Sequence, residues 1–349
     1  MSANIYIRRN CNLDLIKLVA CIAVIGLHTF MPNVMSLYFL CGFAVPLFFM
    51  TSGYFLLNKK EVTSWYVCKK ILSIFKIVFC WNLLRYCAVG FIRMIWGYDI
   101  TNYTLLQFCK ELFGSMLQKG EMWQFWYLGT LILLYALLPI FHRVIVKGKV
   151  SKILKIPYPM VRLWSILIII SIVLQCASML LGEPLQKKVI QTFRLWSWLQ
   201  YFVLGGMMVY VCPKIIAKLS IKVHFLILCI STAFVNVYQY WVGKYIIHTE
   251  YAEYFYDSIF TMIWTIILFT WIMRIKVSDK VTPKIFSLCS LTLGVYIIHP
   301  SVIQLISKVF ANNSLGISIV SFVIVTVVSF GIICVLNKIP LVKRWFLSF

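Results

Sequence analysis

Between Asp14 and His28 the chain runs DLIKLVACIAVIGLH, an apolar stretch of transmembrane character that nonetheless carries an acid, a lysine and a histidine. Lys17 and His28 are separated by 11 positions. At about 100° per residue that spacing brings them within roughly 20° of one another around a helix, with Asp14 about 60° away on the same side. At 1.5 Å per residue His28 stands about 16 Å farther across the bilayer than Lys17. A histidine at such a depth can act as a general base, since its proton affinity lies near neutrality. A lysine below it can hold an anion. Each also has a plainer reading: Lys17 as a side chain snorkelling to cytoplasmic headgroups, His28 as an imidazole satisfied by a neighbouring helix. Their alignment favours a shared polar cavity.

Three further stretches add polar groups at membrane depth. KIVFCWNLLRYCAVGFIR places Asn82 and Arg85 deep in an apolar run, with Lys76 and Arg93 nearer its ends. Arginine keeps its proton, so Arg85 requires an acid, a carbonyl cluster or a bound anion; Asp14 is one internal candidate and a ligand phosphate another. LGVYIIHPSV places His299 beside Pro300, and proline within a helix leaves a carbonyl without its usual donor. LFFMTSGYFLL sets Ser52, Gly53 and Tyr54 among aromatics, and Trp123, Trp126 and Tyr127 cluster near FWYLGTLILLYALLPIF. The plain readings here are close helix packing at Ser-Gly and an interfacial aromatic belt. No G-x-S-x-G, Walker A or H-E-x-x-H pattern occurs.

The elements that must position these groups are membrane helices. Of 349 residues 62% are hydrophobic and 12% charged, with mean hydropathy +0.91, far too apolar for a soluble globular fold. The expected class is all-α, a single polytopic membrane domain over 1–349. At about 20 residues per crossing, ten spans are predicted: 13–32, 37–57, 71–97, 124–142, 161–181, 195–212, 223–242, 258–274, 285–307 and 316–337. The net charge of +23 lies in short clusters between these spans rather than along one face, which argues against nucleic acid as a partner. Arg8 and Arg9, Lys59 to Lys70, Arg143 to Arg162, Lys214 to Lys222, Arg274 to Lys284 and Lys338 to Arg344 all fall on one side. By the positive-inside rule that side is cytoplasmic and holds both termini. Most acidic residues, Glu111, Glu121 and Glu253 among them, fall toward the other side, where they could line something. The twelve cysteines form no C-x-x-C pair and indicate neither a disulfide framework nor a metal site.

Taken as an ordered set, LDLIKLVACIAVIGLH, VPLFFMTSGYFLL, FWYLGTLILLYALLP, YFVLGGMM and GVYIIHP resemble acyltransferase family 3, bacterial integral-membrane acyltransferases that modify surface polysaccharides and related glycans. The resemblance implies about ten transmembrane helices in the bacterial cell membrane. It also implies transfer of an acyl group, usually acetyl, from cytoplasmic acetyl-CoA, a co-substrate rather than a resident cofactor, to a surface-polysaccharide or lipid-linked sugar. In the family's first-helix motif a basic residue, most often arginine, precedes an essential histidine by the spacing of Lys17 and His28. Here lysine stands in the basic position, which preserves the charge but not arginine's bidentate fork.

On this reading His28 is the expected base, with His299 and Lys17 in support and Asp14 in a structural, orienting role. Lys17, Lys69, Lys70, Lys76, Asn82 and Arg85 are expected around the donor. Trp123, Trp126, Tyr127, Ser52, Tyr54 and Tyr296 are expected around the acceptor. Two other classes fit a charged stripe and a proline-broken helix: a transporter or flippase for a glycan precursor or acyl donor, and a haem protein with His28 and His299 as axial ligands.

Overall fold

The structure is a computed structural model that describes residues 10–31, 34–98, 103–146, 148–151, 156–309 and 314–347. The predicted topology cations Arg8, Arg9, Lys147, Lys152 and Lys155 lie outside the described residues. The protein is all-helical, 82% helix, and among the described residues forms no strand. The helices are α1 (Cys11–Thr29), α2 (Met35–Leu40), α3 (Ala44–Leu56), α4 (Ser64–Ile95), α5 (Leu105–Met116), α6 (Trp126–Ile140), α7 (Tyr158–Leu181), α8 (Leu195–Lys218), α9 (Ile221–Tyr245), α10 (Ile259–Arg274), α11 (Thr282–Val309) and α12 (Leu315–Leu336).

Among the described residues eight helical stretches are long and apolar enough to cross a membrane, with α2 and α3 together forming one of them. The ten predicted spans include two more helices. One is α4, which runs 32 residues and carries Lys69, Lys70, Lys76, Arg85 and Arg93. The other is α10, whose 16 residues reach only about 24 Å at 1.5 Å per residue, short of a roughly 30 Å hydrocarbon core.

α1 lies at the centre, packed against α3, α11 and α12. Its start is fixed by Asn10, whose side chain accepts from the Asn12 amide at 2.9 Å. The Asn12 carboxamide then donates to the carbonyls of Ile272 and Ile275, each at 2.8 Å, tying α1 to the end of α10. α3 and α8 meet at backbone contact. A Cβ on Gly53 would sit 1.7 Å from the Phe202 carbonyl oxygen, and one on Gly205 would sit 1.9 Å from that of Met50. The close-packing reading of the Ser-Gly pair therefore holds for Gly53. α7, α9 and α12 present exposed Ile, Val, Leu and Phe on their outward faces, the pattern expected of lipid-facing surface.

Candidate functional site

α11 continues through Pro300. Proline has no amide proton, so the Tyr296 carbonyl, four residues earlier, loses its helical donor. His299 supplies a replacement: its Nδ1 lies 2.7 Å from that oxygen. Because a carbonyl only accepts, the contact requires a proton on Nδ1 and leaves Nε2 with a lone pair. His299 is completely buried, and Nε2 has no hydrogen-bond partner. The ring stacks on His28 with centroids 5.3 Å apart and planes 25° apart, while Trp123 meets His28 edge-on at 5.1 Å. Stacked face to face, the two imidazoles do not aim their nitrogens along a common axis from opposite sides, as axial ligands of one haem must.

His28 is half-buried and opens into a cavity of about 240 Å³. Trp123, Trp126, Gln124, Glu253 and Tyr296 also line it. A second cavity, of about 340 Å³, lies beside Lys17 and is lined by Lys59, Lys70, Ser52, Tyr127 and Tyr296 among others. Lys17 and His28 thus face two chambers rather than the shared cavity their alignment suggested, because the Tyr296 side chain stands between them. Tyr296 is a wall of both. Its hydroxyl donates to the Gln124 carbonyl, and its ring lies 5.6 Å from that of Tyr127, which is hydrogen-bonded with Ser52. Lys17 stands 3.9 Å from Asp14, the acid that the sequence offered to Arg85, and 4.7 Å over the Phe55 ring.

Several expected site residues are placed elsewhere. Arg85 does not reach the lysine-lined cavity; it pairs with Glu111 at 3.0 Å and Glu121 at 3.6 Å, so its demand for an anion is met by α5 and the loop after it rather than by Asp14 or a phosphate. Asn82 donates to the Val78 carbonyl and to Ser115, which uses both its amide protons in helix packing. Lys76 donates to the Arg344 carbonyl at 2.6 Å, and neither it nor the exposed Lys69 lines the cavity. Tyr127 and Ser52 stand in the lysine-lined chamber, not with Trp123 and Trp126. The reason for Tyr127 is angular: about 100° separates it from Trp126 on α6. Tyr54 lines neither cavity and packs against Phe55 and Phe269.

Sequence reasoning missed Lys59, Gln124 and Gln191. Lys59 looked like one of a cluster of loop cations, but its carbonyl accepts from His142 at 2.8 Å and its ammonium sits 4.3 Å over Tyr66, which holds it at the cavity. Gln124 is buried, and its Nε2 donates to the Ile297 carbonyl at 2.9 Å. An amide two residues from a tryptophan gives no signal in a single sequence.

Behind Glu253 of the His28 cavity, Arg194 meets that carboxylate at 3.5 Å, donates through Nε to the Val189 carbonyl at 3.0 Å and lies over Tyr254. Behind it Asp257, in the connection between α9 and α10, accepts from Gln186 at 3.1 Å, from Trp196 at 3.0 Å and from Ser197. Burial pushes the Asp257 carboxyl above its ordinary range despite these donors.

No curated protein and no solved structure matches the chain. A family model described as an acyltransferase domain does match, over residues 11–338, nearly its whole length. Helices of membrane-crossing character and this match make the protein a membrane acyltransferase, a member of acyltransferase family 3.

Proposed function

We propose that the protein carries an acyl group, acetyl by preference, from cytoplasmic acyl-CoA to a hydroxyl of an extracytoplasmic glycan or lipid-linked sugar at the bacterial cell membrane. The observation that carries this reading is the shared wall: Tyr296 separates a chamber holding Lys17, Lys59 and Lys70 from one holding His28. Lysines are suited to the donor's phosphates, and the lysine-rich segments between helices would face the cytoplasm by the positive-inside rule. The thioester arm would pass Ser52 and Tyr127 and displace Tyr296 to bring its carbonyl carbon to His28. Trp123 and Trp126 offer faces on which a sugar ring stacks.

A sugar hydroxyl is a weak nucleophile at neutral pH, and a positioned base is worth typically about 10²–10⁴-fold. In the proposed step His28 removes the hydroxyl proton as the oxygen attacks the thioester carbon. The carbon–sulfur bond breaks, and the departing CoA thiolate takes a proton back from the imidazolium. His299, held by the Tyr296 carbonyl, fixes the plane on which His28 rests.

The test is reconstituted protein given labelled acetyl-CoA on one face and the surface glycan of a strain lacking the chain on the other. We expect His28→Gln to fold, to bind acetyl-CoA and to lose transfer by at least about a hundredfold. Lys17→Met should raise KM for acetyl-CoA with a smaller effect on kcat. Unimpaired transfer by His28→Gln ends the assignment of the base.

A further inference from the structure

The two chambers differ in charge. Among the described lining residues, Lys17, Lys59 and Lys70 and no carboxylate face the inner one, with Asp14 3.9 Å behind Lys17, whereas the outer one is lined by Glu253 and by the carboxamides of Gln118, Gln124 and Gln191, with no lysine or arginine. Arg194, the cation behind that wall, does not line the cavity: it faces Glu253 at 3.5 Å through Nη1, which is buried and makes no hydrogen bond, donates through Nε to the Val189 carbonyl and lies over Tyr254. An anionic sugar brought to His28 would meet the Glu253 carboxylate, with no lysine or arginine among the described lining residues and with Arg194 on the far side of that carboxylate as its ion-pair partner.

Gln124 adds a more specific constraint. Its Nε2 donates to the Ile297 carbonyl, which fixes the amide's orientation, because the carbonyl cannot accept from Oε1. Oε1 is therefore an acceptor, and it is buried without a partner in a residue that is 1% exposed and lines the His28 cavity. A buried acceptor left unpaired is costly, and a donor brought by a ligand removes that cost. The neighbouring Tyr296 hydroxyl cannot serve, since it donates to the Gln124 backbone carbonyl.

We infer that the acceptor presented to His28 is an uncharged, hydroxyl-rich sugar, and that Gln124 determines specificity by accepting a hydrogen bond from one of its hydroxyl or amide protons. The inference rests on the acyl-transfer reading and adds to it the class of acceptor. Glu253 contributes the complementary half: it accepts from neutral hydroxyls and repels a sugar carboxylate, so the same wall both selects and rejects.

The experiment uses the full chain in proteoliposomes with labelled acetyl-CoA. The acceptor probes are methyl glycosides of glucose, galactose and N-acetylglucosamine, set against methyl glucuronide and methyl galacturonide. Cleavage of acetyl-CoA to water is followed in parallel. We expect label on at least one neutral glycoside and at least about tenfold less on its 6-carboxylate counterpart. Gln124→Met should raise KM for the neutral glycoside about tenfold or more while leaving KM for acetyl-CoA in place. If that variant does not fold, Glu253→Gln decides: the uronide-to-glycoside ratio should rise about tenfold. Uronides labelled as well as their neutral partners, or an unchanged ratio in Glu253→Gln, overturns the inference. So does the absence of label on every neutral glycoside while His28-dependent cleavage persists, an outcome that leaves the acyl-transfer reading standing. Cleavage that does not depend on His28 instead sinks that reading itself.

Discussion

His299 has two jobs that different atoms perform, and substitutions can separate them. Nδ1 replaces the donor that Pro300 removes from the Tyr296 carbonyl; the ring face supports His28. His299→Ala abolishes both, leaves a buried carbonyl unpaired and should cost about 1–3 kcal/mol of stability as well as activity. Asparagine places Nδ2 close to where histidine places Nδ1, so His299→Asn should recover most of the thermal stability in detergent while transfer stays at least about tenfold below wild type. Full transfer by the asparagine variant would reduce His299 to a packing residue. The pairing of a histidine with a helix-breaking proline is visible in the sequence, and so is the consequence that a carbonyl needs a partner. That the histidine itself is the partner is not, because the alternative, a water or another helix, is equally compatible with LGVYIIHPSV.

At the level of elements, one-dimensional spacing succeeds where the partners share a helix and fails where they do not. Lys17 and His28 lie on one helix, so periodicity alone sends them to the same side and separates their depths. Arg85 shows the opposite: the bilayer's demand for an anion is legible, but Glu111 and Glu121 come from α5 and a loop whose placement against α4 has no local signature. Ser52 and Tyr127 likewise stand in the lysine-lined chamber rather than with Trp123 and Trp126, a division that hydropathy does not encode. Glycines divide in the same manner. Gly53 and Gly205 bring α3 and α8 together at backbone contact, so Gly53→Ala should force the helices apart and cost about 3 kcal/mol or more, read as a large fall in thermal stability. In α12 a Cβ on Gly331 would meet nothing within 4 Å, and Gly331→Ala should stabilise by about 0.5–1 kcal/mol. Equal responses at the two sites would refute the close crossing of α3 and α8.

For the molecule as a whole, the His28 chamber depends on how the connections between distant helices are fastened. The acidic residues stand out in the sequence as a group in the connections opposite the lysine-rich ones, yet two of them four positions apart do different things. Glu253 lines the cavity, and Asp257 is a buried staple joining Gln186 of the α7–α8 connection and Trp196 and Ser197 in the first turn of α8 to the start of α10. Burial holds the Asp257 carboxyl above its ordinary range, so the folded protein binds this proton more readily than the unfolded chain. Stability from this group is therefore greatest in acid and declines as pH rises through the interval between its unfolded and folded values. Asp257→Asn removes the titration and one of two acceptor oxygens, leaving three donors to one acceptor, which should lower stability by about 1–3 kcal/mol. The melting-temperature advantage of wild type over Asp257→Asn, measured in detergent between pH 4.5 and 7.5, should then shrink as pH rises. An advantage that grows with pH would mean that the three donors outweigh burial and hold the carboxylate ionised, and the staple would be an anion site rather than a strained one.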